Sequence, residues 1–112
     1  MGDTISYADF LRVEIHSGRI LEAAPLEGVR KPSYRLRIDF GPLGIKKSSA
    51  QLTVAYTPES LVGRSIMAVT NFPPKQIGGF MSEVLVLGFP CEGGKVILAE
   101  PERDVPAGTR LL

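Results

Sequence analysis

Over several stretches of this chain apolar and polar residues alternate with the period of a half-buried β-strand. The clearest stretch sets Tyr34, Leu36, Ile38 and Phe40 on one parity and Arg35, Arg37 and Asp39 on the other. A second, Lys46 to Val54, places Ala50, Leu52 and Val54 inward and Lys47, Ser49, Gln51 and Thr53 outward. Gly41-Pro42-Leu43-Gly44 between them has turn composition, so the two are expected to pair as a hairpin. Earlier, Leu11, Val13 and Ile15 alternate with Arg12, Glu14 and His16; the pattern falters at Ser17-Gly18 and resumes with apolar residues on both parities through Ala23. A glycine at such a phase shift predicts a bulge or sharp bend. Small barrels need one, because a long first strand serves both ends of a closed sheet. Further strands are expected over Ser65 to Thr70, Glu83 to Phe89 and Lys95 to Glu100.

Two short helical turns interrupt this β pattern. Ser6 caps the first, with Asp9 at the capping-box spacing, and its apolar side is Tyr7, Phe10 and Leu11. One turn is not stable alone and must dock on its own barrel or on a second copy of the chain. Thr57 and Pro58 take the N-cap and first helical position of the second, which ends near Gly63. Three strands, a short helix and then further strands is the order of an all-β, five-stranded Greek-key OB-fold barrel; a β-sandwich would need more strands. One such domain is expected over residues 1–112, with Pro106 to Leu112 as an extended tail whose two leucines want cover.

At 44% hydrophobic content, 112 residues supply a core without metals or disulfides. The single cysteine, Cys91, allows no intramolecular disulfide and no cysteine-rich zinc site, and points to a reducing, cytoplasmic setting. No basic-then-apolar leader and no membrane-length apolar run is present, so neither export nor membrane insertion is expected. A net charge of +1 argues against holding nucleic acid by bulk charge. Between Gly28 and Gln51, however, six bases face Asp39 alone, a local +5, whereas acids slightly outnumber bases from Glu92 onward.

Catalysis finds little support. His16 is the only histidine and has polar strand parity, which reads as a surface position without a metal partner. Cys91 follows Pro90 with no identifiable base, and a Ser-Lys pair drawn from Lys46, Lys47, Ser48 and Ser49 reads as solvated strand residues. No phosphate-cradling glycine motif and no paired carboxylates occur. Binding is better served. OB-folds use strands two and three for oligonucleotides, which is where Arg35, Arg37, Lys47, Ser49 and Gln51 form one cationic face. The loop Asn71-Phe72-Pro73-Pro74-Lys75-Gln76-Ile77-Gly78-Gly79-Phe80-Met81-Ser82 adds a stiff proline pair, a glycine swivel, polar groups at Asn71, Lys75, Gln76 and Ser82, and two large apolar side chains. Phe80 and Met81 serve either a ligand pocket or a dimer seam.

Asp9-Phe10-Leu11, Gly18-Arg19-Ile20, Lys31-Pro32-Ser33-Tyr34, Ile38-Asp39-Phe40-Gly41, Lys46-Lys47-Ser48-Ser49-Ala50-Gln51 and the long block from Asn71 to Leu85 together resemble the CsaA family. These are export-related bacterial chaperones of the wider tRNA-binding-domain group, whose other members are appended to methionyl- and phenylalanyl-tRNA synthetases. The resemblance implies an OB-fold homodimer without enzymatic activity or cofactor that handles unfolded or precursor polypeptides, with structured RNA such as tRNA as the alternative ligand. By the same resemblance Lys46, Lys47, Ser49, Asn71, Lys75 and Ser82 line the polar part of the binding surface, and Ile77, Phe80 and Met81 the apolar part. His16-Ser17 departs from the Arg-Val that relatives tend to carry, which lowers the positive charge before Gly18.

Overall fold

In the computed structural model, which describes residues 2–112, the helical turn α1 (Tyr7–Leu11) leads into the long strand β1 (Ile15–Pro25). Met1, the first residue of the expected domain, lies outside the described residues. There follow β2 (Tyr34–Asp39), β3 (Ile45–Ala50), the helix α2 (Pro58–Leu61), β4 (Ser65–Val69), a hairpin of β5 (Lys75–Ile77) and β6 (Phe80–Ser82), β7 (Leu85–Val86), and a second hairpin of β8 (Gly88–Pro90) and β9 (Val96–Leu98). The main sheet has the order β3-β2-β1-β4-β7. Its two ends meet: the Ser48 hydroxyl donates to the Val84 carbonyl at 3.1 Å, and the Glu83 amide to the Lys47 carbonyl at 2.8 Å. This is a nearly closed antiparallel five-stranded barrel, an OB-fold, with α2 between its third and fourth strands.

β1 serves both ends of the barrel. Ile15–Arg19 pair with β4 and Arg19–Pro25 with β2, and the register slips between Ile20 and Glu22. The bulge therefore falls at Leu21, three residues beyond the glycine expected to mark it. Gly18 is needed for another reason. A Cβ there would lie 2.7 Å from both Ile38 Cγ2 and Phe40 Cε1, so the absent side chain leaves room for the core.

Several boundaries differ from the alternation pattern. Leu11 and Val13 are not in β1, because the chain still closes helical bonds there, Val13 N to Phe10 O at 3.0 Å. β3 stops at Ala50; Leu52 is buried, but the Tyr56 amide turns back to the Leu52 carbonyl at 3.1 Å and leaves Val54 59% exposed. The expected strand Glu83 to Phe89 is divided among three partners: Glu83 and Val84 close on β3, β7 pairs with β4, and β8 pairs with β9. The C-terminal tail is not loose. Leu111 N reaches Ile15 O at 2.8 Å, and Ser17 and Gly108 or Thr109 exchange backbone bonds, so the tail fills the β1 edge that β2 leaves.

That tail also corrects the placement of His16. Covered by β4 on one side and by Arg110 on the other, it is only 7% exposed, with Nδ1 2.8 Å from the Thr70 hydroxyl. The core itself is Ile20, Leu36, Ile38, Phe40, Leu52, Leu61, Ile66, Ala68, Val84 and Leu98, with Tyr34 bound through its hydroxyl to the Tyr56 carbonyl at 2.7 Å. α1 carries the expected capping box, Ser6 and Asp9 exchanging bonds of 3.0 and 3.1 Å, yet Tyr7 stays 72% exposed.

Gly18→Ala is expected to destabilise the domain by about 1–3 kcal/mol, the usual cost of overpacking a close-packed core. Urea denaturation measures it; an unchanged midpoint would contradict the tight Gly18–Phe40 contact.

Candidate ligand-binding groove

The register of the barrel decides which polar side chains meet. Arg37 lies opposite Glu22 on β1 and Lys47 on β3, and Arg35 opposite Ala24 and Ser49. Arg35, Arg37 and Lys47 are therefore cross-strand neighbours on the outer face, as the alternation predicts. Because the bulge at Leu21 reverses the phase of β1, Glu22 joins them on that face and Ala23 packs against the core.

The β5–β6 hairpin hangs over this face. Gly78 alone of its two loop residues has positive φ, +60°, the pattern of a type II′ turn. A Cβ on Gly78 would lie 2.9 Å from the Gly28 carbonyl, so the hairpin tip touches the β1–β2 loop. At its base, the Ser82 hydroxyl accepts the Ser49 amide at 3.0 Å and the Glu83 carboxylate accepts the Lys47 amide at 2.9 Å. The hairpin is thus pinned to the edge of β3.

Between hairpin and sheet runs a groove in two contiguous parts that share Ala24, Arg35 and Phe80. The first, about 390 Å³, is floored by Leu21, Ala23 and Val62 and rimmed by Glu22, Arg37 and Lys47. The second, about 530 Å³, continues along Pro25, Leu26 and Glu27 to Gly79. Lys47 Nζ sits 5.3 Å from the centre of the Phe80 ring, a cation–π contact. The Glu22 carboxylate is ion-paired with the Arg37 guanidinium.

The groove gathers four of the sequence-derived candidates: Arg35, Arg37, Lys47 and Phe80. The others are distributed differently. Ser49 lies beside Arg35, its amide held by Ser82, and Gln51 is exposed past the end of β3. Lys75 and Ser82 line a separate cleft of about 660 Å³ at the base of the hairpin, with Phe72, Pro74 and Leu85. Ile77 is half-buried opposite Phe80, whereas Met81 pairs with Gln76 and is 41% exposed. Adjacent strand residues point to opposite faces, so Phe80 and Met81 do not share one apolar surface. Lys46 belongs to the other end of the barrel, in a small cavity with Glu14, Phe40 and Thr70. Asn71 is occupied: it donates to the Arg12 carbonyl at 2.7 Å and accepts the Glu14 amide at 3.0 Å.

Sequence reasoning did not identify Glu22, Leu21, Val62 or Glu83 as parts of this region. Glu22 could be found only by knowing where the bulge falls, and Val62 only from the packing of α2. Among the described residues no three His, Cys, Asp or Glu side chains converge as metal ligands do, and no helix is long and apolar enough to cross a membrane.

A nearly closed five-stranded barrel with a basic strand-two and strand-three face and a hairpin over it defines an OB-fold binding module. Residues 15–110 match the family described as "Putative tRNA binding domain", and the chain belongs to that family. Within it the chain is of CsaA type. It is similar to the chaperone CsaA of Bacillus anthracis str. Ames, with 46% identity and a TM-score of 0.93 over 98% of this chain and 100% of that one. The CsaA chaperone protein of Picrophilus torridus superposes with a TM-score of 0.90 at 42% identity, covering 97% and 100% of the two chains. The methionine–tRNA ligase of Leptospira interrogans serovar copenhageni is 37% identical over 107 residues, 96% of this chain. The chain spans about 15% of the length of that enzyme, so the match concerns one part of it.

Asn71→Ala is expected to lower stability by about 1–2 kcal/mol, because it unpairs the Glu14 amide and the Arg12 carbonyl. Its effect belongs in the urea midpoint and in faster exchange of the Glu14 amide; a protein as stable as wild type would show that the Asn71 bridge is not needed.

Proposed function

We propose that this protein is a non-enzymatic, cytoplasmic binding protein that takes up extended segments of unfolded or precursor polypeptides in the groove beneath the β5–β6 hairpin. One observation carries this reading. Phe80 closes over an apolar floor of Leu21, Ala23 and Val62 while Arg35 and Lys47 stand at the rim. An extended chain offers both complements at once, apolar side chains for the floor and occasional carboxylates or carbonyls for the cations. The likeness to CsaA chaperones over the whole chain supports it.

Structured RNA is a second reading, favoured by a different observation: the three cations lie on the barrel face that OB-folds use for oligonucleotides, with an aromatic ring beside them. Binding of tRNA would then weaken steeply with salt as counterions are released, and a flat salt response would remove that reading.

The homodimer is part of the proposal. Ile5, Tyr7, Leu11, Leu111 and Leu112 are all exposed, and Arg110 bonds the Leu11 carbonyl at 2.8 Å, so the helical turn and the tail meet in one apolar region. A second copy would cover it. Light scattering at micromolar concentration is expected to give twice the chain mass, and a monomer there would refute the dimer.

Phe80→Ala is expected to weaken binding of an unfolded precursor peptide about ten-fold or more, in line with the ~1.5–3 kcal/mol that burying a large apolar side chain contributes. Fluorescence titration tests it; equal affinities would exclude the groove.

A further inference from the structure

The groove holds three cations of the outer face, and one of them is already engaged. Glu22 is the sole carboxylate lining the part of the groove floored by Leu21, Ala23 and Val62, and it forms its ion pair with Arg37, the middle member of the row Glu22, Arg37, Lys47. Both side chains are half exposed or more, at 51% for Arg37 and 60% for Glu22. Exposed ion pairs contribute little to stability, so this one changes chiefly what the groove presents to a ligand. Lys47 rests over Phe80, and Arg35 has no side-chain ion-pair or hydrogen-bond partner among the described residues.

A phosphate backbone and a polypeptide make different demands on such a row. Nucleic acid presents regularly spaced negative charges, and its affinity grows with the number of phosphates neutralised. An extended polypeptide presents apolar side chains and isolated charges. With Arg37 held by Glu22, the outer face offers two separated cations, Arg35 and Lys47, enough for isolated carboxylates. It also sets a negative charge where a run of phosphates would pass. We propose that Glu22 is a specificity-determining residue: it sequesters Arg37 and thereby biases the groove toward polypeptide and against polyphosphate ligands. This rests on the polypeptide reading of the groove.

The position of Glu22 suits that role. It reaches the outer face only because of the bulge at Leu21, and it lies beside Ala23, which faces the core. Like-for-like removal of its charge by Glu22→Gln keeps the size of the side chain and leaves the fold undisturbed, since the pair is exposed.

The test compares wild type, Glu22→Gln, Arg37→Gln and the double variant against poly(U) and against a synthetic leucine-serine peptide carrying one glutamate. Glu22→Gln is expected to bind poly(U) several-fold tighter at low salt. Its plot of log affinity against log salt should be steeper by about 0.7, one further phosphate contact on a single strand. Its affinity for the peptide should rise less than its affinity for poly(U), because a single glutamate can use only one of the cations; an equal gain for both ligands would overturn the specificity role. In the double variant the gain should vanish, because the freed Arg37 is its source. Unchanged or absent poly(U) binding by Glu22→Gln, or a gain that survives in the double variant, would overturn the assignment. If wild type and Phe80→Ala bind the peptide equally, the polypeptide reading fails instead, and the poly(U) comparison still judges Glu22.

Discussion

A single inserted residue in β1 sets the geometry of this protein. A five-stranded barrel closes only if one strand turns from one end of the sheet to the other, and here β1 passes from β4 to β2 within eleven residues. Leu21 takes up the turn as a bulge. Because side chains alternate with a period of two, the extra residue reverses every orientation after it. Ile20 before the bulge and Ala23 after it both face the core, and Glu22 faces out. Without the bulge Glu22 would follow Ile20 inward and place an unpaired carboxylate among Leu36 and Ile38, at a cost far above that of the bulge. The burial pattern therefore enforces the register, and the register builds the groove.

The second constraint is the edge of β3. An open strand edge invites pairing with other chains, and here side chains take the positions a strand would have filled. Ser82 receives the Ser49 amide, Glu83 receives the Lys47 amide, and Glu83 returns its own amide to the Lys47 carbonyl. This has two effects on function. It fixes the hairpin over the sheet, and it removes β3 as a template for strand addition. A chain lying in the groove would then meet side chains of the barrel face, since the Lys47 and Ser49 amides are already occupied.

How much of this was legible in the sequence depends on whether a feature is local. The inward row of β2 was fully legible, because Tyr34, Leu36, Ile38 and Phe40 are each buried by the same two-residue period. The capping box of α1 and the Thr57 N-cap of α2 were legible for the same reason, since four consecutive residues suffice to make such a cap; the box that Ser60 completes in α2 was not. His16 was not. Its polar parity is real, but the face it occupies is covered by a tail more than ninety residues later, and no local pattern reports that. Asn71 looked like a ligand group, since a free amide and one bonded to Arg12 and Glu14 have the same sequence. As a loop, Asn71 to Ser82 would let Phe80 and Met81 serve one surface; as a hairpin strand, it sends them to opposite sides.

Charge illustrates the same division. The segment from Gly28 to Gln51 carries +5, which suggests one basic patch. In the fold, adjacent residues of β3 part company: Lys47 meets Arg37 on the groove face, while Lys46 turns to the far end of the barrel beside Glu14. The acid that pairs with Arg37, Glu22, comes from outside the segment. At an ionic strength of 0.1 M charges interact strongly only within about 10 Å, so the field in the groove is set by Arg35, Arg37, Lys47, Glu22 and Glu27 and not by the segment sum. Net charge is therefore a poor guide to this face, because the pairing register, and not the composition, selects which charges stand together.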